Sequence, residues 1–152
     1  RRQRQMCIRD SIWIILTVLL LIIPKTRKTG VIMMAALLVD VLLCNVLIKN
    51  LVARTRPFDV NTAVQLLIEK PQDYSFPSGH TAASFASVTA LYLAGEKKMW
   101  KAALVLAVLI ALSRLYLYVH YPTDIIGGVI FGSLSGYLGY KIVEWIQKKK
   151  IK

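Results

Sequence analysis

Residues 31–48 read VIMMAALLVDVLLCNVLI. Asp40 is the one charged side chain in this run of eighteen residues, and a helix of that length rises about 27 Å. A bilayer's hydrocarbon core is about 30 Å thick, so the stretch is predicted to cross a membrane as a helix. Asp40 and Asn45, set inside it, are expected to hydrogen-bond to neighbouring helices. Four more apolar runs flank it: Ile12 to Ile23, Ala82 to Ala94, Ala102 to Leu112 with an aromatic continuation through Tyr118, and Ile125 to Ile146. The last two are also long enough to span, whereas Ile12 to Ile23 and Ala82 to Ala94 are short. Ala82 to Ala94 is rich in Ala, Ser and Thr, a composition that suits a helix packed among helices better than one facing lipid. Gly128, Gly132 and Gly136 recur every four residues, the spacing that lets two helices approach closely.

The whole chain fits this reading. Of its 152 residues, 56% are hydrophobic and 18% charged, yet the net charge is +12. So much apolar sequence excludes a disordered basic protein. Two cysteines, Cys7 and Cys44, make neither a disulfide framework nor a zinc site, and no redox role is read from them. The basic residues gather in three places: Lys25, Arg27 and Lys28; Lys97, Lys98 and Lys101; and Lys141, Lys148, Lys149, Lys150 and Lys152. Five helices in up-and-down order put all three clusters on one face, which the positive-inside rule makes cytoplasmic, with Trp100 and Trp145 as interfacial anchors. A nucleic-acid patch would need a basic soluble domain, and none is visible, so no nucleic-acid partner is expected. The predicted fold is an all-α polytopic membrane helix bundle with five transmembrane helices visible, forming one domain over residues 12–152.

The opposite face then looks outward. It receives Lys49, Arg56, Ser78, His80, Arg114, His120 and Asp124, and ionisable groups at the margins of membrane helices are costly and usually functional. It also holds the longest loop, Pro57 to Pro77, in which Val60, Val64, Leu67 and Ile68 are expected along one side of a short surface helix. Tyr116 and Tyr118 are expected to pack or to sit at the membrane interface. Lys49, Arg56 and Arg114 offer three cations, and a guanidinium grips two oxygens of one phosphate in a forked geometry. The turn Pro77-Ser78-Gly79-His80 leads into a helix, whose first N–H groups and dipole favour an anion at the same point. Two histidines beside an anion site supply a nucleophile and a proton donor, as phosphoryl transfer through a covalent intermediate requires. Asp124 lies four positions after His120 and just beyond Pro122, where it can take the proton of one imidazole nitrogen and leave the other to attack.

These residues also form a signature. Lys49 through Arg56 and Pro57 reads K-x6-R-P, Pro77 to His80 reads P-S-G-H, and Ser113 through His120 to Asp124 reads S-R-x5-H-x3-D. In this order they resemble the type 2 phosphatidic acid phosphatase (PAP2) superfamily, which also includes haloperoxidases, and every signature position matches. The resemblance implies that His120 is the nucleophile that forms a phosphohistidine, that Asp124 orients it, and that His80 is the general acid and later the base. It implies a phosphate cradle of Lys49, Arg56, Ser78, Gly79 and Arg114, with no metal and no other cofactor. Arg54, outside the signature, is left open between a substrate contact and a solvated surface charge.

The membrane segments favour an integral lipid phosphatase of the compact bacterial kind over the soluble members. Its expected place is the bacterial plasma membrane with the site facing outward. The candidate substrates are undecaprenyl diphosphate or a related isoprenoid phosphate, phosphatidic acid and phosphatidylglycerophosphate, the first favoured. The alternative is a catalytically silent membrane protein that binds a lipid phosphate or a partner. Residues 1–11, RRQRQMCIRDS, are set apart. They resemble a translated sequencing-adaptor peptide, and Arg1, Arg2, Arg4 and Arg9 would place positive charge on the outward face against the bias of the other loops. Members of this kind usually have six helices, so a sixth is expected before the five.

Overall fold

The computed structural model describes the backbone of residues 4–61, 63, 66–68 and 70–150, with the side chains of residues 11–149 among them. Segment 1–11 lies outside the described side chains except for Ser11, and Cys7 lies outside them too. Among the described residues the structure is all-helical. The long helices are α1 (Arg4–Ile22), α2 (Arg27–Asp40), α3 (Gly79–Leu93), α4 (Met99–Tyr116) and α5 (Pro122–Lys150). Helix α2 runs on through a π-helical stretch, Val41–Ile48, and a last α-helical turn, Lys49–Val52. By length and composition, Pro24–Val60, Met99–Tyr116 and Pro122–Lys149 can each cross a membrane, and Ser11–Ile22 is a shorter apolar helix. This is the division into long and short segments that the sequence implies.

The ends of the helices follow local chemistry. Pro24 cannot continue α1 and opens a 3₁₀ turn, Pro24–Thr26. Thr26 Oγ1 donates to Leu20 O at 3.1 Å and Arg27 Nε to Leu21 O at 3.2 Å, satisfying carbonyls that the end of α1 leaves open. At the far end of α2, Ala53 turns left-handed (φ 46°) and its N–H closes on Lys49 O at 2.9 Å, a helix-ending turn that stops the chain just past Lys49.

Helices α3 and α5 share the largest interface of the bundle, followed by α2 with α5. The glycine spacing explains the first. A Cβ on Gly132 would stand 2.2 Å from Ala82 O, and one on Gly136 2.7 Å from Ala86 O, so only hydrogen fits where α5 crosses α3. Ala82, Ala86 and Ala90 of α3 are fully buried, together with Ser84 and Ser87, which donate back to carbonyls of their own helix. Ile32, Met33, Ala36, Leu91 and Ala107 complete a core around this contact, and Trp13 of α1 donates to Ser84 Oγ at 3.0 Å. Elsewhere the helices turn large apolar side chains outward, Leu42, Leu109, Ile126 and Ile130 among them. In water these would be a liability; in a bilayer they face lipid.

The connections alternate between two ends. At one, Thr29 Oγ1 donates to Glu96 Oε1 at 2.9 Å, joining the start of α2 to the α3–α4 turn beside the lysine clusters. There Lys149 lies over the Trp145 ring at 4.1 Å, and Tyr92 packs edge-on to Trp100 at 5.3 Å. At the other end, the α2–α3 connection meets the α4–α5 turn. Among the described residues, the surface helix expected in that connection is limited to one turn, Pro57–Val60, with Pro57 and Phe58 buried. Leu67 and Ile68 lie in bends rather than on a helix, because Pro57 starts the turn and Asn61 leaves it in extended conformation. Val64 lies outside the described residues.

Candidate active site

The site lies where the α2–α3 connection and the α4–α5 turn meet. Helix α4 ends in a left-handed residue, Tyr118 (φ 57°), with Tyr118 N bonded to Leu115 O at 2.9 Å and Val119 N to Arg114 O at 3.3 Å. That reversal delivers Val119 and His120 to the bundle's interior edge, and both are buried. Pro122 then starts α5, its fixed φ suited to a first helical position. Asp124, in the same turn, reaches back with Oδ2 to accept from Tyr121 N at 2.9 Å, so the carboxylate caps the helix that carries it.

Asp124 is fully buried and collects four further polar neighbours. Oδ1 accepts from Arg54 Nη1 at 2.7 Å, and Oδ2 accepts from Ser75 Oγ and faces His120 Nδ1 at 3.5 Å. Its backbone carbonyl accepts from Ser78 N at 3.0 Å, which ties the P-S-G-H turn to the first turn of α5. With Nδ1 turned to Asp124, His120 Nε2 points the other way, 3.4 Å from Arg56 Nη1. Burial holds the His120 imidazole below its ordinary value of 6.5; Asp124 pulls it upward, and the charges of Arg56 and Lys49 reinforce the lowering. The ring is thereby kept neutral near pH 7, the state in which a nitrogen lone pair can attack.

Lys49 and Arg56 are buried cations, 7% and 4% exposed. A charge in such a place needs a counter-charge, and Asp73 supplies it. Asp73 Oδ1 accepts from Arg56 Nη2 at 2.6 Å, and Oδ2 accepts from Lys49 Nζ. Burial pushes the Asp73 carboxyl up, but the two cations outweigh it and hold the group below the ordinary carboxylate value of 3.8.

The remaining residues of the signature stand around this pair. A Cβ on Gly79 would lie 3.1 Å from Asn45 Oδ1 and 3.5 Å from Lys49 Nζ, so the start of α3 abuts the Lys49 ammonium. Ser78 precedes α3, is fully buried and accepts from Thr81 Oγ1 at 3.1 Å. His80 stands half-buried on the first turn, and its carbonyl accepts from Ser84 Oγ at 2.7 Å. Arg114 is buried in the last turn of α4 and donates from Nε and Nη2 to Ser113 Oγ at 3.2 and 3.1 Å. Direct side-chain contacts thus join Arg56, His120 and Asp124, while Lys49 joins through Asp73. Ser78 and Arg114 are tied in through backbone, and Gly79 by its approach to Lys49. Tyr116 is 83% exposed, as expected of an interfacial residue. Among the described residues, no three His, Cys, Asp or Glu side chains gather as metal ligands would.

Two features go beyond the sequence reading. Arg54 is neither a lone surface charge nor an open cation: it pairs with Asp124, donates to Thr123 Oγ1 at 2.6 Å, and lies over the Tyr121 ring at 4.0 Å. Asp73 and Ser75 were not singled out by any motif. The available signal was physical: few acidic residues face several buried cations, so an acidic residue in the same loop is a candidate counter-ion.

Comparison with known proteins adds to this geometry. The PAP2 superfamily profile matches residues 29–148. The undecaprenyl-diphosphatase of Sulfolobus acidocaldarius is 38% identical over 143 residues, covering 94% of this chain and 69% of that protein. Among solved structures, Aquifex aeolicus LpxE aligns with a TM-score of 0.71 at 30% identity, over 86% of this chain and 77% of that one. A transmembrane PAP2 type phosphatidylglycerolphosphate phosphatase from Bacillus subtilis aligns at 0.64 with 31% identity, over 91% and 68%.

Proposed function

The chain belongs to the PAP2 superfamily, and on that footing we propose that it removes phosphate from an isoprenoid diphosphate through a phosphohistidine on His120, at the outer face of a bacterial plasma membrane. It is a membrane lipid phosphatase of that family. The observation that carries the residue assignment is the convergence of His120 Nε2 on Arg56, with Nδ1 turned to the buried Asp124. A neutral imidazole with one nitrogen facing a carboxylate and the other beside a phosphate-binding cation is arranged to attack phosphorus.

In the first step Nε2 forms a bond to phosphorus as the bond to the leaving oxygen breaks, and His80 gives that oxygen its proton. In the second, His80 takes a proton from water, the water oxygen bonds to phosphorus, and the nitrogen–phosphorus bond breaks to release inorganic phosphate. Lys49, Arg56 and Arg114, the Ser78 hydroxyl and the first N–H groups of α3 hold the phosphoryl oxygens as charge grows on them. These cations do what a metal does in other phosphatases, so the reaction proceeds in excess chelator. Support for an isoprenoid substrate comes from the Sulfolobus relative, named for undecaprenyl diphosphate.

The test is phosphate release from undecaprenyl diphosphate, phosphatidic acid and phosphatidylglycerophosphate in detergent with EDTA. Release is expected fastest from the diphosphate, and His120→Ala is expected to lower it by about 10³-fold or more. Activity that vanished with EDTA, or that survived loss of His120, would sink the mechanism. Lipid binding without release would make the protein the silent binder.

A further inference from the structure

Arg56 has five N–H groups, and each has an acceptor. Nε donates to Asp73 O at 2.8 Å, Nη1 to Val119 O at 2.9 Å with His120 Nε2 at 3.4 Å, and Nη2 to Asp73 Oδ1 at 2.6 Å with Tyr74 O at 3.5 Å. A guanidinium has no sixth donor, so a phosphoryl oxygen can bind Arg56 only by replacing one of these partners. Of the four besides the Asp73 carboxylate, three are backbone carbonyls, and the fourth is the imidazole of the proposed nucleophile, whose Nε2 lone pair turns to phosphorus only in the reaction itself. The Asp73 carboxylate is different. It hangs on a side chain in the irregular segment between Pro57–Val60 and α3, and a third of that side chain is exposed. It also bonds Lys49, the other cation of the K-x6-R-P signature, so a single carboxylate bridges both charges that a phosphoryl group would bridge.

We propose that Asp73 is a further residue of the phosphate site, an internal anion that holds the place of the phosphoryl group on Lys49 and Arg56, is exchanged for it when substrate binds, and thereby sets the site's affinity. The proposal rests on reading Lys49 and Arg56 as the phosphate cradle. Its physical basis is charge balance. Two buried cations without a counter-ion would be costly, and one carboxylate removes half of that charge. A phosphoryl group with two negative charges and several acceptor oxygens removes all of it, which makes the exchange favourable. The same exchange run backward helps expel inorganic phosphate, because Asp73 returns to the cations as the product leaves. Asp73 is therefore a competitor rather than a ligand, and its removal strengthens anion binding.

The probe is orthovanadate, a phosphate analogue, titrated by calorimetry into the full chain in detergent. Asp73→Asn and Asp73→Ser are each expected to bind it on the order of tenfold tighter than the unaltered protein, with a lower KM for lipid substrate and stronger inhibition by inorganic phosphate. Equal or weaker vanadate binding by both variants would overturn the proposal and make Asp73 a structural support of the cradle. A measurement on the unaltered chain does not depend on the variants folding. Saturating vanadate is expected to speed modification of Asp73 by a water-soluble carbodiimide, read by mass spectrometry, because the displaced carboxylate is set free. Protection by vanadate would overturn the exchange. Vanadate that bound neither the unaltered chain nor the variants would overturn the cradle reading itself, and the proposal with it.

Discussion

Asp124 shows how much can be asked of one side chain. It caps α5, anchors the P-S-G-H turn through its carbonyl, and divides its carboxylate between Arg54 on one oxygen and Ser75, Tyr121 N and His120 on the other. Arg54 competes with His120 for that charge, and this predicts a pH profile. The proposed nucleophile, His120, must be neutral to attack, and burial lowers its affinity for a proton, so the acid limb of kcat/KM is expected below pH 6.5. In Arg54→Ala the carboxylate loses its cationic partner and stabilises the His120 imidazolium more strongly, so the limb is expected to move to higher pH, with Arg54→Lys reversing most of the shift. A limb that stayed in place in the Ala variant would show that Arg54 does not act through Asp124. The same depression has a cost for folding: below pH 6.5 the unfolded chain binds a proton at His120 more readily than the folded one, and stability is lost as pH falls toward the folded value.

Residue by residue, the sequence makes legible what spacing can encode. Lys49 and Arg56 lie on one short segment, and His120 and Asp124 lie four apart, so local pattern places each pair. Arg54 and Asp124 are 70 positions apart, and Asp73 finds Lys49 and Arg56 across an irregular loop. No periodicity joins such partners; they meet only in the folded chain.

At the scale of the element, the contact between α3 and α5 shows a pattern read correctly for its spacing, whose partner had to come from the structure. The recurrence of Gly128, Gly132 and Gly136 announces a close approach; that the facing surface is Thr81, Ala82 and Ala86 of α3 does not follow from it. Gly132→Ala tests the approach. Helix propensity favours the alanine by about 1 kcal/mol, but its methyl would meet the Ala82 carbonyl at 2.2 Å, a backbone atom that cannot turn aside. The net effect expected is a loss of about 1–3 kcal/mol, seen as a lower midpoint of thermal inactivation in detergent. Ile130→Ala, on the lipid-facing side of the same helix, is the control and should leave the midpoint nearly unchanged. A tolerated Gly132→Ala would mean that the two helices can separate without loss. The π-helical stretch Val41–Ile48 was invisible to hydropathy, since an apolar run reads alike whichever carbonyl its N–H groups choose. Its place directly before Lys49 fits the tendency of such stretches to occur at functional sites.

For the whole molecule, the two ends of the bundle differ in kind. One carries the lysine clusters with Trp100 and Trp145, and the other carries the site. Hydropathy and charge bias made this division legible, because both are summed over many residues and survive local errors, as the misplaced surface helix after Val60 shows. Orientation is testable by labelling. In a Cys7→Ser background, with Cys44 buried, Leu67→Cys places a thiol on an exposed position of the long connection and Lys98→Cys one at the lysine-rich end. A membrane-impermeant maleimide is expected to label the first on intact cells and the second only after permeabilisation. The reverse pattern would turn the site to the cytoplasm.

Helix α3 has fifteen residues, a rise of about 22 Å. It is therefore about 8 Å shorter than the hydrocarbon core of a bilayer. Lys97 and Lys98, just beyond its C-terminal end, hold that end at the lysine-rich surface. In a bilayer that is not thinned around it, its first turn, with Ser78 and Gly79, stops beneath the opposite surface. A headgroup bound at this depth would sink below the surface and shed water on the way, while its hydrocarbon tail could keep its place among neighbouring lipids. If Ser78 and Gly79 hold phosphate as proposed, the substrate need not leave the bilayer; its phosphate dips to meet buried charge.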